Sequence, residues 1–127
     1  MLQQAAITVM LPVKDLERAR AFYENCLGFE PGERHADGKY VYDAAGACLA
    51  LIPKEEGTRA EHTALSFKVD DIAKAIRELQ ARGVAFADYD YPGLKTVEHI
   101  CVLGAEKAAW FVDTEGNCLC LHEDIGR

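Results

Sequence analysis

The feature that most constrains this chain is a unit that it contains twice. An extended apolar run from Ile7 to Val13 feeds Val13-Lys14-Asp15-Leu16 and then a stretch patterned for a helix. Val69-Asp70-Asp71-Ile72 repeats the pattern Val-x-Asp-(Leu/Ile) further along, again ahead of a helical stretch. A second echo follows each of them in the same order. Gly46-Ala47-Cys48-Leu49-Ala50-Leu51 and Gly116-Asn117-Cys118-Leu119-Cys120-Leu121 both read Gly-x-Cys-Leu-x-Leu. Two kinds of element recurring in one order argue for a duplicated module, since either match alone would be unremarkable.

Within the first unit, Leu16, Ala19, Phe22, Tyr23, Cys26 and Leu27 recur at intervals of three and four, which puts them on one face of a helix over 15–27. Asp15 is placed to cap its N-terminus, and Gly28 to end it in a left-handed conformation. In the second unit Ile72, Ala75, Ile76 and Leu79 form the stripe and Gly83 the stop. Strands are expected over 5–13, 29–34, 40–43 and 47–52, with Asp37-Gly38 as a hairpin signal. The second half offers strands over 62–69, 84–89, 98–102, 108–112 and 118–122.

The chain therefore reads as one domain over 1–127, with module one at about 5–53, a charged linker at about 54–61 and module two at about 62–123. Each helix has one apolar face that must lie on sheet. The expected class is α+β: two tandem βαβββ modules forming a curled mixed sheet around a cavity.

Composition excludes several functions. Half of the residues are apolar, yet no stretch approaches the roughly 20 that cross a bilayer. The net charge is −7 and the Lys and Arg residues are scattered among acids, so no nucleic acid and no membrane is expected as partner. Met1-Leu2-Gln3-Gln4 lacks the basic start and apolar core of a signal peptide. Five cysteines with no CxxC spacing point to reduced thiols and a cytoplasmic location.

Cys118, Cys120 and His122 alternate with Leu119 and Leu121, which sets the three on one strand face. They open two readings, a thiolate–imidazole metal site or activated thiol, or small buried cysteines with histidines at strand ends. The second is preferred, because no HxH, CxxC or HExxH spacing anchors the first. Asp15, Asp70 and Asp71 precede helices and read as caps rather than catalytic acids. Asp88-Tyr89-Asp90-Tyr91-Pro92-Gly93-Leu94-Lys95 is a semi-rigid aromatic loop whose rings either stack on a planar ligand or pack on the adjacent sheet. Trp110 faces either core or cavity.

Val13-x-Asp15-Leu16-x-x-Ala19-x-x-Phe22-Tyr23-x-x-x-Leu27-Gly28-Phe29 resembles the opening of the vicinal oxygen chelate superfamily, which includes glyoxalase I, extradiol dioxygenases and bleomycin-resistance proteins. Val69-Asp70-Asp71-Ile72 is similar to the start of its second module. The run from Ala109 to Asn117 resembles its aromatic run, Asp-Pro-Asp-Gly-Asn and strand, with Thr114 and Glu115 as departures to which no functional cost is assigned. The resemblance implies a glyoxalase/bleomycin-resistance-like fold and specifies no chemistry, because this scaffold hosts many.

Metal-using members of the family place ligands at up to four positions, a His in the first strand and a Glu in the last strand of each module. Carried over through the motif spacing, these fall on Thr8, Ala50, Ala64 and Cys120. Three of the four are not ordinary ligands for a divalent ion. The resemblance thus implies a protein that binds a small apolar or planar molecule in the sheet cavity, with no inherited metal and no cofactor. The residues expected to line that cavity are Thr8, Cys48, Ala50, His62, Ala64, Tyr91, Trp110, Cys118, Cys120 and His122. The competing expectation is a lyase, isomerase or dioxygenase with one divalent metal ion on displaced ligands, His62, Cys120 and His122. A third is a homodimer whose cavity is closed by packing; a homodimeric state is expected in any case, as is common in this superfamily. No catalytic residue is assigned.

Overall fold

The computed structural model describes residues 1–126. They divide into two compact units: residues 1–59 with the short segment Thr114–Asn117, and the remainder from Ala60 onward.

The first unit holds β1 (Thr8–Val13), α1 (Leu16–Ala21), β2 (Glu33–Arg34), β3 (Tyr40–Ala44) and β4 (Ala47–Pro53). They form a four-stranded mixed sheet in the order β1-β4-β3-β2, with β1 parallel to β4 and the rest antiparallel. Leu11, Val13, Tyr40, Tyr42, Leu49 and Leu51 are buried on the face that takes the helix, together with Ala19, Phe22 and Tyr23 from the helix itself. Tyr23 stacks on Tyr42, and Phe29 and Tyr40 close edge-on around the same ring. The helix is shorter than its apolar stripe suggests. After Ala21 it widens into one π turn, Phe22–Cys26, in which the Leu27 amide reaches back to the Phe22 carbonyl.

The expected strand over 29–34 shrinks to Glu33–Arg34. Gly32 runs so close to β3 that a Cβ there would lie 2.0 Å from the Val41 carbonyl oxygen, while its amide donates to the Tyr40 phenol oxygen at 3.0 Å. That side-chain bond replaces a ladder bond, so the segment enters the sheet late.

The second unit holds β5 (Thr63–Lys68), α2 (Ile72–Ala81), β6 (Asp90–Tyr91), β7 (Leu94–Lys95), β8 (Cys101–Leu103), β9 (Glu106–Val112) and β10 (Cys118–Asp124). Its main sheet repeats the first plan in the order β5-β10-β9-β8. Ile72 and Ile76 of α2 are buried, as are Ala109, Phe111, Leu119 and Leu121 of the sheet. The strand expected over 84–89 does not form. Only Phe86 bridges to β9, opposite Phe111, and a two-stranded hairpin of β6 and β7 is inserted before β8 reaches the same edge.

The α+β class and the repeated βαβββ plan are as expected. Eight of the strands lie in two four-stranded sheets, each open at its edges, and β6 and β7 form a separate two-stranded one. Among the described residues no helix is long and apolar enough to cross a membrane.

Candidate functional site

In each unit one sheet face carries the helix and the other is free of it. Strand partners directly opposite one another share a face, so the register identifies who stands where. In the second unit β10 runs unbroken against β9, pairing Cys118 with Val112, Cys120 with Trp110 and His122 with Ala108. Against β5 the pairs are Cys118 with Thr63, Cys120 with Ser66 and His122 with Lys68, with a bulge between the first two. Thr63, Ser66, Trp110, Cys118, Cys120 and His122 therefore share the helix-free face.

These side chains are tied to one another. The Trp110 indole N–H donates to Thr63 Oγ1 at 3.1 Å, and Ser66 Oγ lies 2.6 Å from His122 Nδ1. Tyr89 meets Trp110 edge-to-face with ring centroids 5.5 Å apart, and Tyr91 lies 6.1 Å from Tyr89. This cover explains why Cys120, on the face away from α2, is only 5% exposed. Burial pushes the Tyr89 hydroxyl above its ordinary range, and neighbouring Cys118, Tyr91 and Cys120 add to the shift. Burial likewise raises both thiols, against opposing hydrogen bonds from Thr63 to Cys118 and from Ser66 to Cys120. The face is thus a Trp/Tyr platform beside two protonated thiols, with hydroxyls and an imidazole at its rim. The platform itself offers ring stacking and weak donors, and the fixed charges on this face, Lys68, Glu106 and Asp124, stand level with His122 or beyond it at the far end of the strands.

The other expected cavity residues are placed differently. Thr8, Cys48 and Ala50 share the helix-free face of the first sheet, where Thr8 pairs with Cys48 and Met10 with Ala50. Thr8 and Cys48 also line a hollow of about 330 Å³ with Ala6, Ile7 and the β3–β4 turn. His62 is exposed just ahead of β5, and Tyr91 is 61% exposed on its hairpin. Counting through the motif lands on Ala64, but the register lands elsewhere: Thr63 pairs with Cys118 as Thr8 pairs with Cys48. The bulge at Ala64 makes the difference. Sequence reasoning missed Thr63 and Ser66 as members of this face and had Tyr89 only as a ring of the aromatic loop; the adjacent apolar pair Ala64-Leu65 was the available sign of broken alternation.

It also missed Glu115. This carboxylate, with a fully buried side chain, accepts the backbone N–H groups of Lys14 and Asp15 and the Arg18 guanidinium at 2.8 Å. Burial would push it up; Arg18, the Asp15 amide, Thr114 and the Lys14 amide outweigh burial and hold it down at about 2. The residue written off as a neutral departure locks the start of α1.

Two βαβββ-type sheets with matching registers, each with a capping Asp after its first strand, recover the whole duplicated plan. The profile of the Glyoxalase/Bleomycin resistance protein/Dioxygenase superfamily matches residues 6–119. The chain belongs to this superfamily. Among solved members and relatives, a glyoxalase family protein from Bacillus anthracis is 19% identical with a TM-score of 0.75, over 95% of each chain. TnmS3, an antibiotic binding protein from Streptomyces sp. CB03234, is 23% identical with a TM-score of 0.65, over 98% of each chain. The fosfomycin resistance protein FosX from Listeria monocytogenes, solved as a point mutant with Mn(II) and 1S,2S-dihydroxypropylphosphonic acid, is 19% identical with a TM-score of 0.68, over 96% of this chain and 90% of that one. At these identities the likeness is one of fold. A comparison with curated protein sequences gives no match.

The residues at the superfamily's metal positions do not fit a divalent ion. Ala50 and Ala64 have no donor atom, and a hydroxyl at Thr8 with a thiol at Cys120 is a poor set. Among the described residues no group of three His, Cys, Asp or Glu side chains is gathered to hold a metal. Of the displaced set, Cys120 and His122 stand on β10, and His62 lies just ahead of β5.

Proposed function

We propose that this superfamily member binds a small planar or apolar molecule on the helix-free face of its second sheet, without a divalent metal. The observation that carries the reading is the platform of Trp110 and Tyr89 standing beside Cys118 and Cys120, where metal-using relatives would present a carboxylate. An aromatic pair of this kind contributes about 0.5–1.5 kcal/mol beyond the area it buries, and a ligand ring can take over that contact. That TnmS3 is described as an antibiotic binding protein is consistent with such a ligand class.

The chain contains a single tryptophan, so intrinsic fluorescence reports on this face alone. Titration of chelator-treated protein with a panel of planar aromatic compounds, antibiotics included, is expected to shift or quench Trp110 emission with saturation, and to raise the melting temperature. A panel in which neither signal moves, or in which binding appears only after Mn(II) is added, defeats the reading.

We further infer a homodimer in the cytoplasm. All five cysteines are free thiols, which suits a reducing compartment. Met10 is 55% exposed on the edge strand β1, which suits a covering partner. Light scattering that returns a monomer at micromolar concentration refutes the second point.

A further inference from the structure

The two thiols of β10 have a use that stacking of a planar ligand does not require. Cys118 and Cys120 are two residues apart on an unbroken strand and point from the same face. Their Cα atoms are about 6.6 Å apart at the usual rise, and their Cβ atoms stand side by side at a similar distance. That is beyond the roughly 3.5–4.5 Å that a disulfide requires between Cβ atoms. The pair cannot close on itself without bending the strand. A metal held linearly between two sulfurs, with bonds of about 2.3 Å each, asks for sulfurs about 4.6 Å apart, which side chains leaning toward one another from this spacing reach.

We propose that Cys118 and Cys120 form a two-coordinate site for a soft d10 cation of the Hg(II), Ag(I) or Cu(I) class, sharing only Cys120 with the four positions at which metal-using relatives hold a divalent ion. Soft thiolate sulfur selects such ions over the harder ones that favour carboxylate and imidazole. Each thiol gives up its proton on binding. With Hg(II) the product is a neutral S–Hg–S unit and two protons released to solvent, and nothing is oxidised or reduced. A neutral product suits a face where Cys120 is buried and where no carboxylate is paired opposite either thiol. Thr63 and Ser66 stand opposite Cys118 and Cys120 on β5, so a hydroxyl is within the reach of each sulfur; in the metal-free chain the Cys120 thiol donates to the Leu121 carbonyl at 3.1 Å, a bond given up on loading. Because burial keeps both thiols protonated at neutral pH, they are poor nucleophiles and need a strongly thiophilic ion to displace the proton.

The test uses the whole chain, loaded with Hg(II) and separately with Ag(I) in a large excess of glutathione, with bound metal counted after desalting. One ion per chain is expected in the wild type and in the triple variant Cys26→Ala/Cys48→Ala/Cys101→Ala. A loss of at least tenfold in retained metal is expected in Cys118→Ser and in Cys120→Ser. Trp110 emission should be quenched in step with loading. Retention unchanged in both serine variants, or abolished in the triple variant, overturns the site. X-ray absorption on the wild type needs no variant: two sulfur neighbours at about 2.3 Å support the site, and one sulfur, or three or more, refutes it. Metal loading is measured without any planar aromatic compound, and the fluorescence titration on metal-free protein, so either result can fail while the other stands.

Discussion

The two sheets were laid down on one plan, and comparing them strand by strand separates what the fold needs from what the site uses. On the helix side the registers agree: Leu49 and Leu119 correspond, as do Leu51 and Leu121, and all four are buried. On the helix-free side they have parted. Where the first sheet has Met10, Val41, Ala50 and Asp43, the second has Ser66, Trp110, Cys120 and Val112 at the corresponding places. Cys48 and Cys118 alone are held in common there with Thr8 and Thr63. The first face carries no aromatic ring and has a carboxylate, Asp43, beside Cys48; the second is aromatic and thiol-rich. Residues that pack under a helix are constrained by volume, whereas the opposite face was free to diverge, and the divergence marks where to look for function.

The helix N-termini show the same contrast and give the largest expected effect. Asp15 and Asp71 each cap their helix in the same way, accepting the amide three residues on. A second carboxylate joins each: Glu123 takes one amide, from Ile72, while Glu115 takes two amides and a guanidinium. Glu115→Ala should cost roughly 2–3 kcal/mol in urea unfolding, because it removes the acceptor of two part-buried amides and of the half-exposed Arg18 guanidinium. Glu123→Ala should cost about 1 kcal/mol. Equal losses would erase the contrast. The pH dependence carries a definite sign. Glu115 is held at about 2 in the folded chain against an ordinary 4.5, so its contribution is complete above about pH 4.5 and is lost as pH falls toward 2. Glu115→Gln should flatten that acid limb, and an unchanged limb would assign it to other carboxylates.

The next effect sharpens the comparison of faces. Trp110→Ala should weaken binding of a planar ligand by about 30-fold, roughly 2 kcal/mol, whereas Val41→Ala, at the corresponding place of the first sheet, should change it by less than twofold. A titration followed by calorimetry, which does not need the lost fluorophore, decides it. Comparable losses in both variants would put the ligand elsewhere.

How much of this was legible beforehand follows from what a linear pattern can encode. The duplicated Val-x-Asp-(Leu/Ile) and Gly-x-Cys-Leu-x-Leu elements gave the module order, and period-two alternation set Cys118, Cys120 and His122 on one face. Asp15 and Asp71 were readable as caps because capping is local. The bulge at Ala64 was not read, and it exchanged Ala64 for Thr63 at the position opposite Cys118. The strand expected over 84–89 shrank to one bridge at Phe86 and the Ala87 amide bond to Trp110, with the β6–β7 hairpin inserted before β8. Glu115 escaped for a different reason: its partners Lys14, Asp15 and Arg18 lie about a hundred positions away, and no local pattern announces a contact of that range.

The smallest expected effect lies at the one core position where the two modules differ by a single hydroxyl. Tyr42 pairs with Leu49 as Phe111 pairs with Leu119. The phenol of Tyr42 donates to Glu24 Oε2 at 2.8 Å, and Arg20 Nε donates to the same oxygen at 3.0 Å. Burial and the Glu24 carboxylate both push this hydroxyl well above its ordinary range, so it stays a donor at every pH at which the chain is folded. Tyr42→Phe gives the first module the residue that the second already has. The ring keeps its stack on Tyr23 and its edge contacts with Phe29 and Tyr40, and Glu24 keeps Arg20. Only one hydrogen bond is lost and no buried charge is stranded, so the cost should be about 1 kcal/mol, read as a shift in urea midpoint with unchanged slope. A loss near 3 kcal/mol would mean that Glu24 depends on the phenol more than on Arg20, and that the polar anchor, rather than the ring cluster, is what sets the first module's core apart from the second's.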